Sequence, residues 1–500
     1  MASGTEIFIV LVLGVTILGF FAARWGRADL ERFDQWALGG RTFGTVVSWF
    51  LLGGDLYTAY TFIAVPALAF GAGAIAFFAV PYTTIAYPFV FAVMARFWTV
   101  ARRRNYVTTA DFVRDRFGSR SLELAVAITG VLATMPYIAL QLIGMQAVLT
   151  RSGIATSHAS GTTMLVGAFV LLGAYTFMSG LRAPALIAFV KDTLIYVTVI
   201  AAIAIIPAKL GGWAHVFASA DRVLAAMPKP ASIIIGPNMY FAYASLALGS
   251  ALALFIYPHS VTSLLASKSA NVVRRNCILL PLYSILLTFL ALLGYCALAA
   301  NLHETNNNFV VPDLFNRYFP NWFTGVAFAA IVIGALVPAA IMAIGASNLF
   351  ARNILRSFAS PFGRPQRDTL LARYTSLVIL FGALLIATGV QPKFSINFQL
   401  LGGAWILQIF PAVVFGLYTR WFHTRALLLG WLSGMCATVA MAFATNFSSV
   451  FLLHFGASLI GGILFYALIV NVLVCLLATV LLRAARVPES TDATRAEDYA

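Results

Sequence analysis

The sequence predicts an all-α polytopic membrane protein with about thirteen transmembrane helices. Of its 500 residues, 61% are hydrophobic and only 10% are charged, whereas a soluble protein carries about 25% charged residues. Mean hydropathy is +0.91, and apolar runs of about 20 residues, the length that one bilayer crossing requires, recur along the chain. The composition therefore excludes a soluble globular domain.

Each apolar run is long enough to be expected as one span. No Lys or Arg precedes the first run, so we expect a retained helix there rather than a cleaved signal peptide. The expected spans are residues 7–23, 45–70, 74–98, 124–149, 162–180, 184–207, 239–257, 277–300, 323–346, 374–390, 396–417, 424–445 and 458–482. We expect the polar tail, 488–500, to be disordered.

The basic residues predict the orientation of these spans. With the N-terminus outside, 25 of the 32 Lys and Arg residues fall in inner loops or the C-terminal tail, six fall in outer loops, and Lys191 lies within a span. Such an excess marks the cytoplasmic side. We therefore expect the N-terminus outside and the C-terminus inside. Topology explains the net charge of +15, so the expected partner is the lipid bilayer and not a nucleic acid.

The second span carries a break in its apolar pattern. Gly53-Gly54-Asp55 is followed by the hydroxyl residues Tyr57 and Thr58. A carboxylate at membrane depth marks a functional site by default, and adjacent glycines weaken a helix. We expect a discontinuous helix whose free backbone groups bind substrate. The alternative is a packing glycine pair, with Asp55 capping the second half-helix.

Other polar groups lie within or at the ends of later spans. In span four, Tyr137 and Gln141 share one helical face with Gly144, which predicts either a pathway lining or an interhelical hydrogen bond. Tyr243, in span seven, is a further binding candidate. We interpret His259, which follows that span, as structural.

Motifs of enzymes and cofactor-binding proteins do not stand out in this sequence. It contains no nucleotide-binding loop, zinc motif or nucleophile elbow, and its four cysteines do not have metal-ligand spacing. We therefore expect no cofactor, no metal and no enzymatic activity. Nor does the sequence indicate an obligatory protein partner. A lipid-modifying enzyme and a solute sensor are the rival classes, and neither a polar catalytic cluster nor a signalling domain is evident.

Several blocks of the sequence form a distinctive set. Four of them are WALGGRTFGTVVSWFLLGGDLYTAYTFIAVPAL (36–68), ELAVAITGVLATMPYIALQLIGM (123–145), YTFMSGLRAPALIAFVKDTLIYVTVIAA (175–202) and YPHSVTSLLASKSANVVRRN (257–276). These blocks resemble the sodium:solute symporter family, and within it the bacterial monocarboxylate permeases. The stretches VPDLFNRYFP (311–320) and GALVPAAIMAIGASNLF (334–350) fit the same family, and the resemblance extends from the first span to the last.

This resemblance implies two inverted five-helix repeats, with spans two and seven as the discontinuous pair. Gly249-Ser250 would break span seven where Gly53-Gly54 breaks span two. The implied segments are the first helix and loop (1–44), the first repeat (45–207), an outer loop (208–238), the second repeat (239–417), two further spans (418–487) and a cytoplasmic tail (488–500).

The resemblance also implies a cation site between spans two and nine. Its backbone ligands correspond to Gly54 and Tyr57, but the span-nine positions are Ala340, Ala343 and Ile344, so both hydroxyl ligands of a sodium ion are missing.

A lysine offers a replacement for the missing ion. Other branches of the same fold look similar in placing a lysine amine where sodium would lie, and Lys191 in span six fits that position. Its ammonium would replace the charge of the ion and donate to the carbonyl of Gly54. It precedes Asp192, but neighbours in sequence do not face each other on a helix, so we expect no simple ion pair between them. Protonation of Lys191 would couple transport to protons rather than to sodium. The alternatives are a static Lys191–Asp192 arrangement and a lysine side chain that extends to the cytoplasmic surface.

The resemblance thus implies import of small monocarboxylates such as lactate, pyruvate, acetate or propionate by a proton-coupled secondary symporter of the bacterial inner membrane. The substrate site is expected to include Gly53, Gly54, Asp55, Tyr57, Thr58, Tyr137, Gln141 and Tyr243. The coupling site is expected to include Lys191, Asp192, Gly54, Tyr57, Ala340, Ala343 and Ile344. Sodium coupling, or uptake of small neutral amino acids such as alanine with Asp55 recognising the ammonium, is the alternative.

Overall fold

The membrane-spanning helices were identified in a computed structural model that describes residues 3–22, 29–153, 158–356, 365–389, 395–455 and 457–499. Ten helices in these ranges are long and apolar enough to cross a membrane, or eleven when one bent pair counts as a single span. The all-α membrane class is therefore confirmed, whereas the number thirteen is not. Ala23, the predicted end of the first span, lies outside the described residues.

The first half of the chain folds into helices that begin at capping residues where the sequence provides them. The Ser3 and Thr108 hydroxyls cap α1 and α7, each in a reciprocal pair with an acidic residue three positions later. The helices are α1 (Gly4–Phe21), α2 (Phe33–Leu38), α3 (Thr45–Leu56), α4 (Val65–Ala72), α5 (Ala79–Phe89), α6 (Ala95–Arg103), α7 (Thr109–Phe117), α8 (Arg120–Arg151), α9 (His158–Ser179), α10 (Arg182–Lys209) and α11 (Trp213–Ala225).

The second half continues with long apolar helices and one pair of short strands. The predicted segment boundaries, including those of the two repeats, stay predictions. The elements are α12 (Tyr240–Leu254), α13 (Pro258–Leu265), α14 (Ala270–Leu279), α15 (Pro281–Ala299), α16 (Val310–Tyr318), α17 (Asn321–Leu349), α18 (Pro365–Gly389), α19 (Ile396–Ile406), α20 (Thr424–Ala444), β1 (Val450–Phe455), β2 (Ala457–Gly462) and α21 (Ile463–Ala484).

Helix α17 lies at the centre of the protein. Its most apolar 18-residue stretch is completely buried, and it packs against α1, α8, α10 and α13. Small residues allow this close packing. A Cβ atom at Gly345 would lie 2.7 Å from the backbone nitrogen of His259, so α17 passes directly against the start of α13. The interior of α17 therefore adjoins both helices that the resemblance marks as discontinuous.

Strands β1 and β2 correct the expected start of the last span. They form an antiparallel pair in which Val450 is opposite Gly462 and Leu452 is opposite Ile460. The expected span includes residues 458–462, because a short, mostly apolar run does not distinguish a strand from the start of a helix. The helix α21 begins only at Ile463.

The C-terminal tail is ordered against the rest of the protein, so the prediction that it is disordered is wrong. Asp492 forms ion pairs with Arg116 (2.6 Å) and Arg420 (3.2 Å). The backbone N–H of Ala493 donates to the carbonyl of Asp115 at 2.8 Å. Composition alone did not predict this, because the docking partners lie far away in the sequence. We call the surface that carries Arg116, Arg420 and the docked tail the basic face.

Candidate functional site

The second predicted span is broken between α3 and α4. Helix α3 ends at Leu56, and Tyr57 has φ −89° and ψ 93°, outside the helical region. The sequence predicted the break at Gly53-Gly54-Asp55, but these residues lie inside α3. The prediction of a discontinuous helix is therefore confirmed and its position is corrected by about one turn.

The two glycines serve close packing instead. A Cβ atom at Gly53 would lie 2.3 Å from ring carbons of Tyr283 in α15, and one at Gly54 would lie 3.2 Å from Cε of Lys191 in α10. Both distances are shorter than ordinary contacts between carbon atoms. Glycine is thus required because α10 and α15 approach α3 here, and the chain breaks further along, where side chains compensate the exposed backbone.

Lys191 compensates the carbonyl end of the first half-helix. Its side chain is fully buried, and its ammonium donates to the carbonyl oxygens of Gly54 at 3.1 Å and Tyr57 at 3.2 Å. These carbonyls lie at the C-terminal end of α3, where helix carbonyls lack partners and a positive charge is favoured. The contact between Lys191 and Gly54 that the sequence predicted is therefore present.

The same ammonium lies 2.6 Å from Oδ1 of Asp192. The expectation that sequence neighbours on a helix form no ion pair is therefore wrong for Lys191 and Asp192. The rule concerns the outward directions of short side chains, whereas the long lysine chain brings its ammonium back beside the next residue. Tyr283 of α15 fixes the carboxylate, since its hydroxyl donates to Oδ2 of Asp192 at 2.8 Å.

Two side chains accept the first N–H groups after the break. The Ala59 N–H donates to Oε1 of Gln141 at 2.9 Å, and the Tyr60 N–H donates to Oγ1 of Thr58 at 3.0 Å. The face of α8 that carries Tyr137, Gln141 and Gly144 thus makes an interhelical hydrogen bond, which is one of its two predicted roles. Gly144 allows α8 to lie close to the break, since a Cβ there would lie 2.3 Å from Cβ of Ala59.

The seventh predicted span is broken between α12 and α13, which meet at an angle of 48°. Gly249 and Ser250 lie inside α12, so the predicted position of this break is wrong. The second half begins at Pro258, which suits a first helical position because its ring fixes φ and its missing N–H needs no partner. A Cβ at Gly249 would instead lie 2.5 Å from Leu464, so this glycine serves packing against α21.

Asp55 connects the two broken helices. Its carboxylate, only 3% exposed, accepts a hydrogen bond at Oδ2 from the Ser260 hydroxyl at 3.0 Å. The same oxygen lies 3.7 Å from Nε2 of His259. Among the described residues, Oδ1 of Asp55 and both ring nitrogens of His259 have no hydrogen-bond partner. Ser260 and His259 were not predicted as site residues, although their place at the start of a half-helix was the available signal.

Aromatic rings surround this polar cluster. The ring of His259 lies 5.5 Å from that of Tyr137 and 5.0 Å from that of Tyr257, measured between centroids. The Tyr257 hydroxyl donates to the carbonyl of Gln399 at 3.1 Å. Tyr243 is not brought to this cluster, because it lies near the start of α12, 14 residues before Tyr257. Its hydroxyl donates to the carbonyl of Phe77 at 3.0 Å. The cluster therefore combines a carboxylate with an apolar wall.

The span-nine positions of the implied sodium site lie in the interior of α17. Ala340, Ala343 and Ile344 are fully buried, and α17 packs against both α3 and α10. Their side chains offer no oxygen to a cation. The nearby hydroxyl of Ser347 donates within its own helix, to the carbonyl of Ile344 at 2.8 Å. At the implied sodium site, α17 therefore contributes apolar side chains, and the only charged donor to the carbonyls of Gly54 and Tyr57 among the described residues is the ammonium of Lys191.

Comparison with known sequences places this arrangement among transporters. The profile of the sodium:solute symporter family matches residues 36–436. A protein of Rhizobium johnstonii named "Monocarboxylate transport permease protein" is 51% identical over 482 residues, which cover 96% of each chain. A protein of Bacillus subtilis named "Uncharacterized symporter YodF" is 36% identical over 431 residues, which cover 86% of each chain.

Solved structures share the fold at low sequence identity. A Na⁺-coupled sialic acid symporter in a substrate-bound outward-open state superposes with a TM-score of 0.78 at 16% identity, over 98% of both chains. A transporter of the nucleobase-cation-symport-1 family gives a TM-score of 0.55 at 12% identity, over 93% of this chain and 98% of that one. At these identities the similarity concerns the fold alone.

Proposed function

Because this chain belongs to the sodium:solute symporter family, we propose that it is a symporter that imports small monocarboxylates and is driven by protons. The family and its relatives are transporters, so the protein is a membrane transporter and not an enzyme. Lactate, pyruvate, acetate and propionate are the proposed substrates. The name of the Rhizobium relative, half of whose residues are identical, supports the monocarboxylate class.

The chemistry of the site supports a small organic acid as the substrate. The carboxylate of such a substrate needs hydrogen-bond donors, and half-helix N-termini supply them together with a favourable dipole. Here the N–H groups of Ala59 and Tyr60 are held by Gln141 and Thr58, which a substrate carboxylate would have to displace. The rings of Tyr137 and Tyr257 offer an apolar surface to a short carbon chain.

The observation that carries proton coupling is the position of Lys191. Its ammonium lies on the carbonyls of Gly54 and Tyr57, which are the backbone positions implied for sodium. An ammonium supplies one positive charge and its own donors, whereas a hard cation needs further oxygen ligands that Ala343 and Ile344 do not provide. In this proposal the amine stands permanently in the place of the ion.

The transported proton would act through these same contacts. Protonated Lys191 holds the end of α3 and balances Asp192. Loss of the proton weakens both contacts and leaves the Asp192 carboxylate unbalanced in the interior, which changes the relative stability of the two transport states. In a bacterial inner membrane, the basic face would be cytoplasmic and the N-terminus outside, in keeping with the excess of Lys and Arg.

Two alternatives are tested by the same experiment. In a sodium-coupled symporter, the ion would bind with fewer side-chain ligands than the family pattern has. In a transporter of small neutral amino acids, Oδ1 of Asp55, which has no partner among the described residues, would accept the substrate ammonium.

The test is uptake of labelled lactate into proteoliposomes that contain the purified protein. An inward proton gradient without sodium is compared with an inward sodium gradient at equal pH, and protein-free liposomes correct for passive entry of the acid. We expect protein-dependent accumulation with protons alone. Accumulation only with sodium would overturn the proton proposal, and transport of labelled alanine in place of lactate would overturn the substrate class.

A further inference from the structure

Asp55 is a buried carboxylate that proton coupling through Lys191 does not use. It lies in α3, yet its hydrogen-bond partner, Ser260, and its nearest ring, His259, begin α13 on the other broken helix. A negative charge is favoured at the N-terminal end of a helix. The protein's own carboxylate thus occupies the kind of position in which a carboxylate substrate would be held.

The charged groups around Asp55 do not compensate the charge of a second anion. From α10, the cation Lys191 is already paired with the anion Asp192 at 2.6 Å. His259 of α13 and the phenol Tyr257, which directly precedes α13, contribute from the second broken helix, and the phenol Tyr137 contributes from α8.

Three more uncharged phenols complete the list of titratable groups around Asp55. They are Tyr283 of α15, and Tyr57 and Tyr60 on the same broken helix as Asp55. With Lys191 cancelling Asp192 and with neutral imidazole and phenols, an ionised Asp55 gives the cluster one net negative charge. A bound monocarboxylate would make it two.

Two ionised carboxylates in one dry site are strongly unfavourable, and such pairs share a proton instead. We propose, on the basis of the proposed monocarboxylate transport, that Asp55 takes up a proton when the substrate binds and donates it as a hydrogen bond to the substrate carboxylate. The site then returns to one net negative charge, shared between two carboxyl groups that hold one proton.

The geometry assigns this proton to one oxygen of Asp55. Oδ2 accepts from the Ser260 hydroxyl, and that hydrogen bond survives protonation of the other oxygen. Oδ1 is buried and has no partner among the described residues, so a proton there is free to point at a substrate. Water on the substrate's side of entry supplies the proton, and the O–H bond breaks to water on the side of release.

Proton balance follows from this assignment. Lys191 carries one proton per cycle in the proposed coupling, and Asp55 carries a second one together with the anion. Two protons then move with each monocarboxylate, so the cycle moves one net positive charge inward. With Lys191 alone, one proton would move with each anion and the cycle would move no net charge.

The first experiment measures lactate binding to the purified full chain by isothermal titration calorimetry over a range of pH. In the wild type we expect binding to weaken as pH rises, once the empty site has lost the Asp55 proton. In Asp55→Asn the amide still donates to lactate, so binding persists. The lactate binding constant of this variant should change with pH less steeply than that of the wild type, by a factor of ten per pH unit, which is the effect of one linked proton. Asp29→Asn, which changes an exposed carboxylate on a loop, serves as the matched control.

The outcomes separate this inference from the proposed function. An unchanged pH dependence in Asp55→Asn overturns the Asp55 assignment. Loss of the dependence in His259→Gln but not in Asp55→Asn places the proton on the imidazole and also overturns it. Failure of the wild type to bind lactate at any pH refutes the monocarboxylate proposal instead.

A second measurement needs no variant, so it holds even if Asp55→Asn fails to fold. Proteoliposomes that contain wild-type protein and a trapped pH dye report proton flux beside the uptake of labelled lactate. We expect two protons per lactate and an inward current of positive charge. A ratio of one, without current, contradicts a second proton on Asp55.

Discussion

The ammonium of Lys191 lies 3.1 Å from the carbonyl oxygen of Gly54, at the end of the first half of a broken helix. The amine therefore stabilises a backbone that has lost its helical partners, while it also balances the buried carboxylate of Asp192. A group with both roles links its own protonation to the geometry of the break. The Lys191 contacts are thus the most direct place to test how transport is driven.

We expect Lys191→Ala to abolish lactate accumulation driven by a proton gradient while the protein still inserts in the membrane. Lys209→Ala, at the other end of the same helix, is the matched control and should accumulate lactate normally. Uptake by both variants is measured in proteoliposomes. Normal accumulation by Lys191→Ala in an acid gradient would show that another group carries the driving proton.

Stability complicates that comparison, because removal of one partner from a buried ion pair costs about 3–5 kcal/mol. The double variant Lys191→Met with Asp192→Asn removes both charges and retains an acceptor for the Tyr283 hydroxyl. We expect it to unfold at a higher temperature than Lys191→Ala and still to lack proton-driven accumulation. Recovery of accumulation in the double variant would contradict a coupling role for the lysine.

Gln141 provides a second prediction, on the other side of the break. In Gln141→Leu the buried N–H of Ala59 loses its acceptor, which costs about 1–3 kcal/mol. We expect a lower unfolding temperature and weaker lactate binding, both measured on the detergent-purified protein. Gln141→Glu keeps an acceptor oxygen in place and should lose less stability. Equal stability of the leucine variant and the wild type would mean that the break does not depend on this side chain.

The sequence predicted the class, the existence of a broken second span and the contact of Lys191 with Gly54. Both predicted positions of the breaks are wrong, because the glycines that predict them lie inside helices and serve close packing. In the structure, the helix is interrupted where Lys191 and Gln141 from other helices bind backbone groups of Gly54–Ala59. Such compensation depends on tertiary contacts that local patterns do not contain.

The same limit explains the residues that were missed. Ser260 and His259 meet Asp55 across a separation of about 200 residues in the chain, and no local spacing predicts that meeting. The Lys191–Asp192 pair was excluded by a rule for helix surfaces, whereas both side chains here turn into the interior. Close-packed charged residues inside a membrane protein therefore need the structure before their partners can be named.

The docked tail gives a third prediction. Asp492→Ala removes the carboxylate that Arg116 and Arg420 share, while Arg116 keeps its bonds to the carbonyls of Gly416 and Thr419. A hydrogen bond to a charged group contributes about 1.5–3 kcal/mol. We therefore expect amide hydrogen exchange at Ala493, measured by mass spectrometry, to accelerate about tenfold or more.

A charge removed from an exposed pair is the control for the tail. Glu489→Gln breaks the contact of that residue with Arg483, where both side chains are exposed. Exposed pairs contribute little, so exchange at Ala493 should stay unchanged in this variant. Equal exchange in Asp492→Ala and the wild type would show that Asp492 does not hold the tail.

The fourth prediction concerns Arg151, which forms ion pairs with two carboxylates. It lies 2.8 Å from Glu304 and 3.0 Å from Asp313. Burial raises the pKa of Asp313 to about 7, and its contact with Glu304 acts in the same direction, whereas Arg151 acts against both. The two carboxyl groups therefore share one guanidinium, and Asp313 is protonated below neutral pH.

The sign of the effect on stability follows from this raised pKa. An unfolded aspartate has a pKa of about 3.9, so between that value and about 7 the folded protein binds the proton more tightly than the unfolded chain. The contribution of Asp313 to stability is complete below the unfolded pKa and is lost as pH rises to about 7. Asp313→Asn should remove this loss, so its unfolding temperature should depend less on pH across that window, whereas Asp29→Asn should follow the wild type. A pH dependence unchanged by Asp313→Asn would contradict the raised pKa of Asp313.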